Sequence, residues 1–203
     1  MPGSSLWLVP PTEHPLHKLL SDIISHHLPA QFPELTGPTF SPHMTLTSNI
    51  DPKTYGDDPQ GWLDSIAWPD TSTVHVRLQS LKTEDVFFRR SYLKVEFEGV
   101  REAAGVARAR GVIGEDSIGP ATESWLREWN LAFGPHVSLI YGSVPIEDGK
   151  LAEIETLVRN QGVKLSSQSP VAGSFSGWDG GIVWLVPTDR SIDEWKPIAT
   201  RQL

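Results

Sequence analysis

Two short segments of the sequence repeat one order of residue types that can carry out acid–base chemistry. Residues 42–48 read PHMTLTS and residues 135–142 read PHVSLIYG, so each segment places a histidine two positions before a hydroxyl residue. Side chains two positions apart on a β-strand share a face. We therefore expect one imidazole and one hydroxyl on each strand, facing the same way.

Two such faces around one pocket would supply what hydrolysis of a phosphodiester by in-line displacement requires. One imidazole would accept a proton from the attacking water and the other would donate one to the departing oxygen, each transfer contributing roughly 10²–10⁴-fold in rate. The hydroxyl groups of Thr45 and Ser138 would donate hydrogen bonds to the non-bridging oxygens. The residues leave open which histidine is the base, and our working hypothesis is His136 as base and His43 as acid. The scheme needs no metal, and we predict no metal site and no cofactor.

The composition limits the partners of such a site. The 203 residues include 25 acidic and 17 basic side chains, for a net charge of −8, and no cysteine. Disulfides, thiolate catalysis and cysteine-bound metals are excluded. No basic stripe of the kind that grips a long polyphosphate backbone is visible. Arg89 and Arg90 are neighbours, so at most one of them is expected to face an anionic ligand, and a solvated pair is the alternative.

The elements that must position the two motifs are predicted to be antiparallel strands, mixed with single helices. The mixed order differs from a regular βαβα alternation and therefore predicts an α+β fold. A second similarity, between LWLVP at 6–10 and VWLVP at 183–187, predicts an internal repeat in which Trp184 is the counterpart of Trp7. Alternation and helical periodicity predict strands at 5–10, 43–48, 71–81, 92–98, 136–141, 163–168 and 181–187, and helices at 15–28, 100–111 (ending at Gly111), 122–130 and 150–162, with a helical turn near 62–66.

The segments LWLVPP, FSPHMTLTSNI, VFFRRSYLKV and PHVSLIYG resemble those of the two-histidine phosphoesterase superfamily, and most of all its fungal and plant cyclic phosphodiesterases. The resemblance implies one domain, residues 1–203, of two pseudo-symmetric lobes whose antiparallel sheets line a central groove, with helices outside. It also implies hydrolysis of ADP-ribose 1″,2″-cyclic phosphate to ADP-ribose 1″-phosphate and of nucleoside 2′,3′-cyclic phosphates to 2′-phosphates, in the metabolism of tRNA-splicing by-products.

The same resemblance implies roles for individual residues. Catalysis falls to His43 and His136, phosphate binding to Thr45, Ser138 and Tyr141, and contact with the nucleotide to Trp7 and Phe88, with Phe87 as the alternative to Phe88. Strict alternation turns Tyr141 away from His136. It reaches the site only if the strand bends near Gly142.

Several other residues have simpler explanations. We expect His75 to be solvated on the polar face of a strand, and Trp125 and Trp129, four positions apart, to pack as ordinary helix neighbours. SGWDGG at 176–181 is predicted to be a turn before the last strand. The remaining histidines are expected to be surface or helix-end residues: His14, His17, His26 and His27.

Two alternative functions stay open from the sequence. One is an enzyme of the same superfamily that acts on RNA ends or 2′,5′-linked oligonucleotides, and the other is a nucleotide-binding module without catalysis. We expect a monomer that binds a small cyclic-phosphate nucleotide, without a long nucleic acid partner. The N-terminal segment has neither a basic region nor a long apolar run, so no signal peptide or membrane span is expected. A cytoplasmic location is predicted, with Golgi association as the alternative.

Overall fold

An eight-stranded antiparallel sheet runs through the computed structural model, which describes residues 3–166 and 173–203. The strands follow one another across the sheet in the order β6-β3-β4-β5-β2-β1-β7-β8. The predicted α+β fold with antiparallel strands is therefore confirmed. The strand bounds are β1 (Ser4–Val9), β2 (Met44–Ile50), β3 (His75–Lys82), β4 (Ser91–Val95), β5 (His136–Ile140), β6 (Gly177–Asp179), β7 (Ile182–Pro187) and β8 (Ala199–Gln202).

Helices connect these strands and pack on the sheet. A π-helical turn, Ile23–His27, joins the first two helices, and another, Ala109–Ile113, extends the fourth. The prediction that Gly111 ends the fourth helix is wrong, because Gly111 is buried inside the π-helical turn and Gly114, at φ 83°, ends it in the left-handed region. The helices are α1 (Pro15–Asp22), α2 (Leu28–Gln31), α3 (Pro59–Asp64), α4 (Arg101–Arg108), α5 (Pro120–Ala132) and α6 (Asp148–Asn160).

Alternation along the strands separates a core face from an opposite face, which carries polar residues in β3 and a second apolar cluster around Trp7, Val9 and Val186 in β1 and β7. In β3, for example, Val76 and Leu78 are fully buried while the residues between and beside them are half-buried. The helices α1 and α6 add Leu16, Leu20 and Ile154 to the same apolar cluster. Burial of these side chains stabilises the fold by about 25 cal/mol per Å² of apolar surface. Because a shift by one residue would turn them to the other face, their burial fixes the register of the strands.

The sheet consists of two halves that meet at one strand pair. Strands β2, β1, β7 and β8 form one half, strands β5, β4, β3 and β6 form the other, and Met44 pairs with Val137 where β2 and β5 meet. In the first half Trp7 lies across from Thr45, and in the second half Tyr92 lies across from Ser138.

This register corrects the predicted tryptophan repeat. Trp184 pairs directly with Trp7 because β7 and β1 are adjacent strands of the same half. The counterpart of Trp7 in the other half is Tyr92, which has the same position relative to its histidine–hydroxyl motif. The two tryptophan segments are therefore neighbours rather than copies.

Three further differences concern short elements. The sequence predicts a strand at 163–168, but residues 163–166 form none, and Val163 makes only a single bridge to Phe175. Residues 167 and 168 lie outside the described residues. The segment 176–181 contains the short edge strand β6 as well as the predicted turn. The sequence did not predict β8. None of the helices within the described residues is long and apolar enough to cross a bilayer.

Candidate active site

Strands β2 and β5 bring both histidine–hydroxyl motifs to one face of the sheet. Met44 and Val137 are fully buried in the core, so the residues beside them face the other way. The Met44–Val137 pairing sets Ser138 across from His43 and Thr45 across from His136, which leaves the two histidines at diagonal positions, about 7–8 Å apart in a regular sheet. All four residues line one cavity of about 350 Å³, here called the groove: His43, Thr45, His136 and Ser138.

A hydrogen bond to a backbone carbonyl two residues earlier orients each imidazole. The Nδ1 atom of His43 lies 2.6 Å from the carbonyl oxygen of Ser41, and that of His136 lies 3.0 Å from the carbonyl oxygen of Gly134. In each case the partner precedes a proline that precedes the histidine, and proline fixes the backbone there. Because a carbonyl oxygen only accepts, each Nδ1 carries the proton, and the neutral ring leaves Nε2 free to act.

Burial lowers the pKa of both histidines. Desolvation is the main cause for His43, whose pKa falls to about 4, and the hydrogen bond to Ser41 opposes it. Desolvation also lowers the pKa of His136, where the hydrogen bond to Gly134 opposes the shift. Both rings are therefore neutral in the free protein at pH values above about 6.5.

Aromatic side chains hold the two rings differently. Trp7, which is 1% exposed, lies on the same face of the sheet as Thr45 and stacks on His43, but it does not line the groove. His136 instead meets the edges of Tyr92 and Phe133, with ring centroids at 5.1 and 5.9 Å. The expected contact of Trp7 with the nucleotide stays a prediction, and the contact that the structure gives Trp7 is with a catalytic candidate.

Tyr141 does reach the groove. Strand β5 ends at Ile140, and the chain turns there so that the Tyr141 ring lines the groove while remaining 3% exposed. Phe40 stacks on this ring with centroids 3.7 Å apart. The backbone at Gly37 also passes close to Tyr141, which only glycine permits, because a Cβ there would lie 2.0 Å from the Tyr141 carbonyl oxygen. Burial raises the pKa of Tyr141, so its hydroxyl remains a proton donor.

The turn before β4 forms the facing wall. Residues Phe87–Arg89 form a 3₁₀ turn rather than part of a strand, and the Phe88 carbonyl accepts a hydrogen bond from Ser138 Oγ at 2.9 Å. Phe88 lines the groove, whereas Phe87 is 38% exposed. Of the two, Phe88 is therefore the one placed at the groove, and its contact with the nucleotide stays a prediction.

Only the first residue of the Arg89–Arg90 pair faces the groove. Arg89 lines the groove and donates from Nε to a carboxylate oxygen of Glu84 at 2.8 Å. Its guanidinium carbon lies 4.4 Å from the centroid of the Phe133 ring. Arg90 is 4% exposed and donates to Asp85 and to the Gly142 carbonyl. Arg89 can therefore contact an anion, while Arg90 holds the chain after β5.

Helices α4 and α5 supply a wall that the sequence analysis missed. Arg108, Trp125, Trp129 and Phe133 all line the groove. The two tryptophans do stack on each other as helix neighbours, with centroids 5.2 Å apart, but the same faces also border the groove. Spacing on a helix indicates that two residues share a face, and gives no sign of whether that face meets core or ligand.

The other histidines lie away from the groove. His14 caps α1 by accepting from the Leu16 amide at 3.2 Å, as expected of a helix-end residue. His75 lies 2.7 Å from an oxygen of Asp179 on β6, where Arg77 also pairs with that carboxylate.

The charge of the groove is opposite to that of the whole chain. Arg89 and Arg108 line it together with the two histidines, and no aspartate or glutamate does so among the described residues. In a chain of net charge −8, the groove is thus lined by cationic rather than anionic side chains, with Glu84 paired to Arg89 beside it. Within the described part of the chain, no cluster of three or more His, Cys, Asp or Glu side chains could hold a metal ion.

Comparison with known proteins agrees with this arrangement. The family described as cyclic phosphodiesterase-like protein matches residues 1–203. Over the full length of both chains, the sequence is 53% identical to a protein of Neurospora crassa and 42% identical to one of Phaeosphaeria nodorum, each named 2′,3′-cyclic-nucleotide 3′-phosphodiesterase. A protein of the same name from Yarrowia lipolytica is 29% identical over 98% of this chain and 99% of its own length. The chain therefore belongs to the cyclic phosphodiesterase-like family, and the predicted enzyme class, a cyclic phosphodiesterase, is confirmed.

Proposed function

We propose that this enzyme hydrolyses nucleoside 2′,3′-cyclic phosphates to 2′-phosphates and ADP-ribose 1″,2″-cyclic phosphate to ADP-ribose 1″-phosphate, by two-histidine acid–base catalysis without a metal ion. The observation that carries the proposal is the placement of His43 and His136 on one groove face, each with Nδ1 held by a carbonyl and Nε2 free. The names of the relatives support the 2′,3′-cyclic nucleotide as substrate. The resemblance noted in the sequence adds the ADP-ribose substrate and a place in tRNA-splicing by-product metabolism.

In the proposed reaction, the oxygen of water forms a bond to phosphorus while the bond from phosphorus to the 3′ oxygen breaks. His136 accepts the proton of the water on Nε2, and His43, protonated on both ring nitrogens, donates its Nε2 proton to the 3′ oxygen, so that the product is a 2′-phosphate. Since burial lowers the pKa of His43 to about 4, the acid role requires the bound phosphate anion to raise that pKa. The anion also displaces water from both rings and so completes the site.

The remaining groups act on the phosphate and the nucleotide. Thr45 is proposed to donate a hydrogen bond to a non-bridging oxygen, with Tyr141 as a further donor, where charge increases in the transition state. Ser138 is proposed to do the same by exchanging its hydrogen bond to the Phe88 carbonyl for one to the phosphate. Phe88, at the groove wall, is proposed to contact the nucleotide. Trp7 is proposed to act through the ring of His43 on which it stacks.

Identification of the products by phosphorus NMR tests the proposal. The enzyme is incubated separately with a nucleoside 2′,3′-cyclic phosphate, with ADP-ribose 1″,2″-cyclic phosphate and with a 2′,5′-linked oligonucleotide. We expect only the 2′-phosphate from the first and only the 1″-phosphate from the second, with slower turnover of the oligonucleotide. Formation of the 3′-phosphate would contradict the assignment, faster turnover of the oligonucleotide would favour the RNA-directed alternative, and binding without ring opening would favour the non-catalytic one.

The metal-free scheme is tested in the same assay with excess EDTA. We expect turnover to persist, because the two imidazoles supply both proton transfers. Loss of activity that added metal restores would show that the reaction uses a metal ion. For variants that lose His43 or His136, the control is His75→Gln, whose side chain lies outside the groove.

A further inference from the structure

Arg108 lines the groove without an anionic partner. Its guanidinium carbon lies 4.9 Å from the centroid of the Trp125 ring, and its Nε is buried with no hydrogen-bond acceptor among the described residues. No carboxylate of the described residues forms an ion pair with it. A buried donor without an acceptor lowers the stability of the fold by about 1–3 kcal/mol, and by more when it is charged. The presence of such a donor in Arg108 therefore needs an explanation.

The other arginines of the same helical segment are paired. Arg101, at the start of α4, donates to both oxygens of Glu123 at 2.6 Å. Arg110 pairs with Asp116, although its Nε also lacks an acceptor. Arg108 therefore differs from its neighbours in leaving its charge free, and it is the one of the three that faces the groove.

A second unpaired polar atom lies on the same wall of the groove. The hydroxyl of Thr47 is buried without a hydrogen-bond partner among the described residues, and the side chain is only 2% exposed. Thr47 lies two positions beyond Thr45 on β2, after an irregularity in the pairing with β1, and it also lines the groove. Helix α4 packs against this strand. Arg108 and Thr47 thus line the groove from two elements that pack against each other.

We propose that Arg108, supported by Trp125, forms a second phosphate subsite in the part of the groove that Thr47 also lines, and that this subsite binds a further phosphate group of the substrate. The subsite rests on the proposed function, because it acts on a substrate whose cyclic phosphate lies between His43 and His136. It selects cyclic-phosphate nucleotides that carry an additional phosphate or pyrophosphate over those that carry none.

The chemistry of the guanidinium favours a phosphate as the ligand. Its planar donors match two phosphate oxygens at once, and stacking on the indole fixes the plane without consuming those donors. Partial burial lowers the pKa of Arg108, because it removes water from a charge that has no carboxylate partner among the described residues. An arriving phosphate would neutralise the charge through the terminal nitrogens of the guanidinium, since only Nε is buried without a partner.

The test compares kcat/KM on a nucleoside 2′,3′-cyclic phosphate with kcat/KM on the same compound carrying a 5′-phosphate. We expect the unaltered enzyme to prefer the 5′-phosphorylated substrate by about 10- to 100-fold, the range for a hydrogen bond to a charged group. Arg108→Gln should abolish this preference, whereas Arg101→Gln, which removes the same charge from the other end of α4, should retain it. Absence of a preference in the unaltered enzyme, or its persistence in Arg108→Gln, would overturn the subsite.

Failure of the subsite can be distinguished from failure of the proposed function. If neither substrate is opened, the proposed function fails, and calorimetric binding of a nucleoside 5′-diphosphate then decides the subsite alone. Tighter binding than of the nucleoside, lost in Arg108→Gln and kept in Arg101→Gln, would support it, and equal binding by all three proteins would overturn it. If Arg108→Gln does not fold, Arg108→Lys takes its place. We expect it to weaken the preference, because lysine keeps the charge and lacks the planar fork, and an unchanged preference would count against the proposal.

Discussion

The indole ring of Trp7 lies parallel to the imidazole of His43, with centroids 3.7 Å apart and 12° between the ring planes. Tyr92 occupies the equivalent register position in the other half of the sheet, but it meets His136 edge-on at 5.1 Å. The same kind of hydrogen bond to a backbone carbonyl orients both imidazoles, yet their aromatic neighbours differ. The two halves of the sheet therefore give the two rings different environments, as distinct acid and base roles require.

Removing the stacked ring is expected to slow catalysis more than it weakens substrate binding. Aromatic pairs contribute about 0.5–1.5 kcal/mol beyond burial, so Trp7→Leu should lower kcat by about 3- to 10-fold while KM changes less, and Trp7→Phe should restore most of kcat. Steady-state kinetics on a 2′,3′-cyclic nucleotide measure both constants. A raised KM with unchanged kcat would instead show that Trp7 contacts the nucleotide, as the family resemblance implies.

The buried ring of His43 is expected to destabilise the fold in acid. Its pKa is about 4 in the folded protein and about 6.5 in the unfolded chain, so between these values the unfolded state binds more protons. The free energy of unfolding should therefore fall as the pH falls through this window, by on the order of 3 kcal/mol from this group. Urea unfolding above about pH 6.5 and near about pH 4 measures the fall.

The variant His43→Gln isolates that contribution. It should lose less stability on acidification than the unaltered protein, because the neutral side chain takes up no proton in either state. His26→Gln, which removes an exposed histidine from the π-helical turn after α1, serves as the control and should lose as much as the unaltered protein. Equal losses in all three proteins would show that the ring of His43 is not desolvated as described.

The rate should depend on pH with a maximum on the acidic side. The value of kcat/KM reports the free enzyme, which reacts only when one imidazole is protonated and the other is neutral. Because burial lowers the pKa of both histidines, the protonated fraction falls as the pH rises above these lowered values. We expect a bell-shaped profile with its maximum below about pH 6.5. A flat profile from about pH 5 to about pH 8 would be incompatible with paired proton transfers.

The hydroxyl beside His136 is expected to stabilise the transition state. Thr45→Val keeps the shape of the side chain and removes the donor, so kcat/KM should fall by about 10- to 100-fold, the range for a hydrogen bond to a charged group. Thr122→Val is a matched control, since Thr122 is fully buried on α5 with its hydroxyl unpaired among the described residues and lies outside the groove. Unchanged turnover of Thr45→Val would remove this residue from the phosphate site.

Much of the groove floor could be predicted from local sequence. Alternation identified the strands that carry His43 and His136, and duplication of the motif indicated that the two faces meet. The bend that brings Tyr141 to the groove follows the end of β5, near the position where Gly142 suggested it. The Pro-His pairs were present as a further signal, because a proline before each histidine sets the carbonyl that accepts from Nδ1.

The walls of the groove depend on contacts between elements distant in sequence. Nothing in the order of residues indicates that Trp125 borders a ligand rather than the core, or that Arg108 lacks the partner that Arg101 has. The relation between Trp7 and Tyr92 also needed the pairing of strands, because two unlike aromatic residues share a register position that only the sheet defines. The similar segments around Trp7 and Trp184 misled because adjacent buried strands favour the same residue types.

Single-turnover hydrolysis of a 2′,3′-cyclic nucleotide by His43→Ala and His136→Ala tests the central claim most directly. Each substitution should lower the rate by roughly 10²–10⁴-fold, while circular dichroism shows an intact fold, because each removes one proton transfer at the same phosphorus atom. The double variant should lose little more than the slower single variant if the two rings act in one step. Near-normal turnover by either single variant would contradict two-histidine catalysis.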